Sequence, residues 1–119
     1  MARSPQAAFE SHERALGSGD LEQLAADFSN NCILIVNGQV RRGKSGVKEG
    51  FAHIFSELGK VNGMDAPVRV FEDNVLYVEW RADLGDRRCD GVDTLIFEDG
   101  LIAVQTAKYE IKALATLPA

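Results

Sequence analysis

The chain has 119 residues, of which 45% are hydrophobic and 26% charged, and its formal net charge is -5. This length and composition indicate one globular domain, residues 1–119, with one hydrophobic core, and they exclude a disordered or fibrous protein and a separate cofactor-binding domain. The basic residues are scattered apart from Arg41-Arg42 and Arg87-Arg88. Together with the negative charge, this argues against nucleic acid as a partner.

The sequence contains no pattern typical of a metal site or a membrane span. Cys32 and Cys89 are isolated, without CxxC or Cys/His spacing, so we predict free buried thiols, no metal and no cofactor. The first residues lack the apolar stretch of a signal peptide, and no later run is long enough to cross a membrane. We therefore expect a cytoplasmic protein with no membrane partner.

The first two elements are predicted to be short helices. Ser4 followed by Pro5 is a helix start, and the helix is expected to reach about Leu16. After a glycine-containing break, Asp20 with Gln23 forms a capping-box pattern for a second helix. The face of this helix is expected to comprise Leu21, Leu24, Ala25 and Phe28.

A hairpin and a third helix follow. The apolar run 32–36 predicts a strand, Asn37-Gly38 is a strong signal for a two-residue turn, and residues 39–42 form the return strand. Ser45 is then the expected cap of an amphipathic helix. Its apolar stripe consists of Val47, Phe51, Ile54 and Leu58.

The rest of the chain reads as hairpin-linked strands, predicted at 67–71, 74–82, 91–97 and 101–109. Helices followed by a run of such strands indicate an α+β domain, with helices packed on one side of an antiparallel sheet. The sheet must curl around its helices, which leaves a concave, mainly apolar pocket suited to a small ligand.

Asp93 is the first candidate for a functional residue, because it lies between apolar residues of one predicted strand and an unpaired buried charge costs free energy. On the first helix, His12 shares the apolar stripe of Phe9 and Leu16, whereas His53 is expected on a flank or in solvent. We predict that the polar residues of the pocket are His12, Asp93, Gln105 and Tyr109, and that Phe51 and Trp80 supply apolar walls.

Residues 38–45 match the literal pattern G-x-x-x-x-G-K-[ST] of a phosphate-binding loop. However, Val40, Arg41 and Arg42 read as a strand after a tight turn, whereas phosphate binding needs a loop whose amides surround the anion. Alternating βαβ units are absent from the sequence pattern as well. We therefore expect no nucleotide site here.

Four segments give the chain a family resemblance: Gly19-Asp20-Leu21, residues 27–32, Gly43-Lys44-Ser45 and residues 93–102. With the order of helices and strands, they resemble the nuclear transport factor 2-like superfamily, and within it the SnoaL-like polyketide cyclases and ketosteroid isomerase. The resemblance implies a cone-shaped, curved sheet wrapped around three N-terminal helices, the cystatin-like fold, usually found as a homodimer.

The resemblance also implies roles for particular residues. His12 falls where ketosteroid isomerase has the tyrosine of its oxyanion hole, and Asp93 falls where that enzyme has its protonated aspartate. Trp80, Gln105, Tyr109 and Phe51 align with pocket-lining positions. The general-base aspartate of the isomerase aligns with Val36 or Asn37, neither of which is a base, so the mechanism of that enzyme does not transfer.

The sequence supports two functional hypotheses. In the first, His12 and Asp93 are catalytic, forming a hydrogen-bonded pair that performs cofactor-independent acid/base chemistry, as in an isomerase, dehydratase or cyclase, on an apolar carbonyl or hydroxyl compound. In the second, the same domain is a non-catalytic ligand-binding, dimerisation or protein-interaction module, and the pair only stabilises the packing. The outward face of the last strand, with Ile102, Val104 and Thr106, is apolar, so we expect a homodimer through the sheet.

Overall fold

A computed structural model describes residues 2–59 and 64–114. The helices are α1 (Pro5–Ser18), α2 (Leu21–Ala26) and α3 (Gly43–Leu58). The strands are β1 (Phe28–Val36), β2 (Gln39–Arg42), β3 (Asp65–Glu72), β4 (Val75–Asp83), β5 (Arg87–Glu98) and β6 (Leu101–Ala113). In the described part of the chain, every helix is too short or too polar to cross a membrane.

The strands form one six-stranded sheet in the order β2-β1-β6-β5-β4-β3. The sheet is curved and does not close, and the three helices precede most of it in the chain, so the α+β prediction is confirmed. One pairing departs from the antiparallel expectation, because β1 runs parallel to β6. The sheet is therefore mixed. Its parallel pair joins β1 to β6, which is the last strand of the β3–β6 meander.

Local capping explains where the first two helices begin. The Ser4 side chain accepts a hydrogen bond from the Ala7 amide, and the Asp20 carboxylate accepts one from the Gln23 amide at 3.1 Å, as predicted. The second helix, however, ends at Ala26. The prediction that Phe28 belongs to its face is wrong, because Phe28 opens β1, where its ring is fully buried.

The hairpin between β1 and β2 has the predicted two-residue turn, in which Asn37 and Gly38 both have positive φ, 49° and 84°. The chain then passes from β2 directly into α3, so the helix begins at Gly43 and Ser45 is not its cap. Instead, the Lys44 ammonium donates to the carbonyls of Ala25 and Phe28, at 3.0 and 2.8 Å. The literal phosphate-loop pattern is thus part of a strand and a helix, and its lysine binds the protein's own backbone.

The core fills the space between the helices and the concave face of the sheet. The predicted stripe of α3 is buried there: Val47, Phe51, Ile54 and Leu58. Ile102, which we expected on the outer face of β6, is also fully buried. The β5–β6 register shifts between Ile96 and Phe97, and such an irregularity reverses the alternation of side chains beyond it.

A buried carboxylate, Asp27, joins α1, α2 and the start of β1. It accepts hydrogen bonds from Ser11 Oγ at 2.9 and 3.0 Å, and from an Arg3 guanidinium nitrogen at 2.8 Å. Arg3 also donates to the carbonyl of Gly100 at the β5–β6 turn, at 2.8 Å. This network fixes α1 against the sheet, and α1 carries His12.

Candidate functional site

A cavity lies between the concave face of the sheet and helices α1 and α3. The space in which the centre of a water molecule fits is about 50 Å³, and one water needs roughly 10–15 Å³ by this measure. The cavity therefore suits a small ligand. The six residues predicted from the sequence all line it: His12, Phe51, Trp80, Asp93, Gln105 and Tyr109.

Asp93 projects from β5 into this cavity. One carboxylate oxygen accepts a hydrogen bond from the Trp80 indole N–H at 2.8 Å, and the other accepts one from the Gln105 side-chain amide at 2.9 Å. Desolvation raises the pKa of Asp93 from 3.8 to about 6, although both hydrogen bonds oppose that rise by stabilising the carboxylate. The group can therefore exchange a proton near neutral pH.

The position of Trp80 depends on a glycine that we did not single out from the sequence. The Trp80 indole packs across the strand neighbour Gly91, where an added Cβ would come within 2.1 Å of an indole carbon. No residue other than glycine fits beneath that ring. A glycine in the interior of a strand often marks such a close approach, but the predicted strand began at Gly91, whereas the observed β5 begins at Arg87.

His12 is 1% exposed and surrounded by the rings of Phe9, Phe28 and Phe51, whose centroids lie 6.1, 5.8 and 5.6 Å from its own. Neither ring nitrogen has a hydrogen-bond partner among the residues that the structure describes. The expected hydrogen bond between His12 and Asp93 is therefore not formed. Burial among aromatic rings lowers the pKa of His12 to about 4, despite the opposing charge of Asp27, so the imidazole is neutral at physiological pH.

Gln105 and Tyr109 complete the polar part of the lining, and both are almost fully buried. The amide oxygen of Gln105 has no partner within residues 2–59 and 64–114. The ring of Tyr109 lies 6.1 Å from that of Trp80, and its hydroxyl donates a hydrogen bond to the Glu57 carboxylate.

Glu57 is a second residue that sequence reasoning missed. It lies on α3, four residues after His53, whose Nε2 is 3.2 Å from a Glu57 carboxylate oxygen. His53 is exposed, as predicted. The i, i+4 spacing indicated the contact with His53, but no sequence pattern indicated the contact with Tyr109, which comes from 52 residues further along the chain.

Val36 and Asn37, the two positions that the family resemblance matches to the general base of ketosteroid isomerase, carry no basic group. Val36 lines the cavity, and the side-chain oxygen of Asn37 accepts a hydrogen bond from the Tyr109 amide at 2.9 Å. Of the described residues that line the cavity, Asp93 alone carries a carboxyl group. Any acid/base chemistry by a carboxyl group in this cavity thus depends on Asp93.

Comparison with solved structures shows the same fold in proteins of low sequence identity. An NTF-2 like protein of unknown function from Burkholderia xenovorans LB400 aligns with a TM-score of 0.71 and 18% identity over 96% of this chain and 87% of that one. A protein from Kribbella flavida DSM 17836 that carries the provisional name ketosteroid isomerase aligns with a TM-score of 0.73 and 17% identity, over 99% of this chain and 85% of that one.

A third structure is that of SalBIII, an epoxide hydrolase/cyclase-like enzyme described for pyran ring formation in the polyether salinomycin. It has a TM-score of 0.76 and 14% identity, over 92% of this chain and 95% of that one. A comparison with curated proteins finds no match.

A family model described as the SnoaL-like domain matches residues 9–105, which include α1 from Phe9 onward and the cavity-lining residues Asp93 and Gln105. The architecture and the structural neighbours agree with that match. The chain therefore belongs to the SnoaL-like domain family of the nuclear transport factor 2-like superfamily.

Proposed function

We propose that this protein binds a small, mainly apolar compound carrying a hydroxyl or carbonyl group in its central cavity, and that Asp93 performs acid/base chemistry on it without a cofactor. The observation that carries the proposal is a carboxyl group with a pKa of about 6 inside an apolar cavity, held by two side-chain donors. Ionisable groups with shifted pKa values in a concave, mainly apolar site are typical of catalysis.

The unpartnered polar atoms of the cavity also support a ligand. His12 offers two ring nitrogens and Gln105 an amide oxygen, each buried and without a partner in the described chain. Buried polar atoms are nearly always hydrogen-bonded, so these atoms are suited to bind a ligand or water.

In the reaction we propose, the Asp93 carboxylate removes a proton from a carbon next to a carbonyl group and later returns it or passes it to a leaving group. Trp80 and Gln105 hold the carboxylate while it is charged. Neutral His12 donates one hydrogen bond and accepts another, which differs from the acid/base pair with Asp93 that was expected from the sequence. Isomerisation, dehydration and aldol-type cyclisation share this first step, and structural neighbours with cyclase-related names support that class.

The experiment uses 3-hydroxycyclohexanone, a small ring with both functional groups, in D₂O. We expect deuterium incorporation next to the carbonyl, followed by loss of water, with saturation at high substrate concentration. Asp93→Asn should slow the exchange by about 10²-fold or more. Asp90→Asn is the matched control, because Asp90 lies on the same strand but pairs with Arg81 and Arg88 outside the cavity.

Two results would separate the hypotheses. Binding that shifts the indole N–H resonance of Trp80, the only tryptophan, without any exchange would favour the non-catalytic ligand-binding module. Neither binding nor exchange would contradict the proposal altogether.

A homodimer is the second part of the proposal, and the outer face of the sheet supports it. Val70, Tyr77 and Val92 are large apolar residues that are exposed on β3, β4 and β5, and their strand neighbours on that face include Val68 and Thr94. Glu79 and Lys108 lie beside Val92 on the same face, and the apolar residues exposed among these charges favour association with a second copy of the chain.

A further inference from the structure

A hydrogen bond made by one residue of the cavity lining affects which ligands the cavity can bind. Tyr109 lines the cavity and is 5% exposed, whereas Glu57, which accepts the hydrogen bond of its hydroxyl, is exposed and lies outside the lining. A phenolic hydroxyl has a single proton to donate. Because that proton is committed to Glu57, a ligand atom that reaches the hydroxyl meets only oxygen lone pairs.

Tyr109 keeps its proton at any physiological pH. Desolvation is the main cause of the rise of its pKa far above the ordinary value of 10, and the hydrogen bond to Glu57 and the charge of that carboxylate add to it. The hydroxyl is therefore neutral, and its orientation is decided by the position of the carboxylate that accepts its proton.

Gln105 presents a second acceptor. Its amide nitrogen donates to Asp93 at 2.9 Å, which is the orientation that an ionised carboxylate requires, since a carboxylate only accepts. The amide oxygen is then left for the cavity, buried and without a partner in the ranges that the structure covers. Two residues of β6 that line the cavity, Gln105 and Tyr109, thus each carry an acceptor oxygen.

We propose that Glu57 is a positioning residue that makes Tyr109 a hydrogen-bond acceptor, and that Tyr109 and Gln105 together select a ligand with a hydroxyl group over one with only a carbonyl group. This inference rests on the proposed binding of a small apolar compound, and it narrows the class of that compound to alcohols, including hydroxyketones. A ketone would face two acceptors and leave both unpaired, which costs affinity.

The test compares cyclohexanol with cyclohexanone, two probes of the same ring size that differ in having a donor. Their dissociation constants are measured from the indole N–H resonance of Trp80 in NMR titrations. We expect the wild-type protein to bind cyclohexanol about 3- to 10-fold more tightly, the range that one net hydrogen bond gives. In Glu57→Ala the tyrosine proton is free to serve a ketone, so most of this preference should disappear.

Further variants distinguish positioning from a structural role. Tyr109→Phe should lower the preference by itself, and Glu57→Ala should then add nothing in the Tyr109→Phe background, as expected for residues that act as a unit. His53→Ala removes the 3.2 Å contact of His53 with Glu57 but keeps the Glu57 carboxylate, so the preference should stay. The thermal unfolding midpoint of each variant shows whether it is folded. If Glu57→Ala does not fold, the affinities of Tyr109→Phe alone test the proposal.

The possible outcomes separate this inference from the proposed function. Equal affinity of the wild-type protein for both probes, or an unchanged preference in both Glu57→Ala and Tyr109→Phe, would overturn the role of Glu57 while leaving ligand binding intact. Binding of neither probe would overturn the proposed function and this inference with it.

Discussion

Asp93 holds its carboxyl group where the protein solvates it poorly, between Trp80 and Gln105. Its folded pKa of about 6 lies above the ordinary 3.8, so the folded state binds the proton more tightly than the unfolded state does. The contribution of this group to stability is therefore greatest at low pH and is lost as the pH rises through about 6. At neutral pH the charged residue destabilises the fold, which indicates a functional reason for keeping it.

Asp93→Asn should accordingly be more stable than the wild-type protein at pH 7, by about 1–3 kcal/mol, with the difference shrinking towards pH 4. The amide oxygen still accepts from the Trp80 N–H, and the Gln105 amide can turn to pair with the new NH₂ group. Urea unfolding at both pH values measures the difference. A variant less stable than the wild type at pH 7 would show that the carboxylate stabilises the fold.

His12 has the opposite pH dependence. Its folded pKa of about 4 lies below 6.5, so the unfolded state binds more protons between these values, and stability is lost as the pH falls through this window. His12→Leu removes the effect. We expect the variant to gain stability relative to the wild type as the pH decreases from 6.5 to 4, at about 1.4 kcal/mol per pH unit at most.

The measurement is the free energy of unfolding of both proteins at pH 7, 6 and 5. A constant difference across this range would mean that His12 is already solvated or paired in solution. Asp93→Asn serves as the control, because its difference from the wild type should change with pH in the opposite direction.

At the scale of elements, the site depends on the close packing of Trp80 on β4 against Gly91 on β5. Gly91→Ala places a methyl group where the indole now lies, so the ring must move, which typically costs about 1–3 kcal/mol in a packed core. Movement of the ring also removes the hydrogen bond to Asp93, so we expect the pKa of that carboxyl group to rise further.

Urea unfolding and an NMR titration of the Asp93 carboxyl carbon check both effects. In a Trp80→Leu background the same Gly91→Ala change should cost much less, because the clashing ring is gone. An equal cost in both backgrounds would mean that the glycine is needed for its backbone alone.

At the scale of the whole molecule, the outer face of the sheet is predicted to pair with a second copy of the chain. Light scattering should give the mass of a dimer at micromolar concentration. Val104→Glu places a charge in the middle of that face, on the central strand β6, and should weaken dimerisation by about tenfold or more. Ala52→Glu, on the exposed side of α3, adds the same charge elsewhere and should have no effect. A wild-type monomer at these concentrations would contradict the prediction.

The sequence by itself determined the elements and the class of fold. The caps at Ser4 and Asp20, the Asn37-Gly38 turn and the buried stripe of α3 are short-range features, set by side chains within one turn or one hairpin of each other. The alternation of side chains along each strand also predicted which neighbours share a face with Asp93 and with Gln105, and both of these residues line the cavity.

Only the tertiary structure decided the contacts among these residues. The register shift beside Phe97 places Ile102 in the core. The packing of the helices on the sheet places His12 among aromatic rings, where it makes no hydrogen bond with Asp93. The contact between Glu57 and Tyr109 joins a helix to a strand 52 positions away. Local patterns specify which face a side chain takes, but its partner depends on register and on distances between distant segments, which are set only when the helices pack on the sheet.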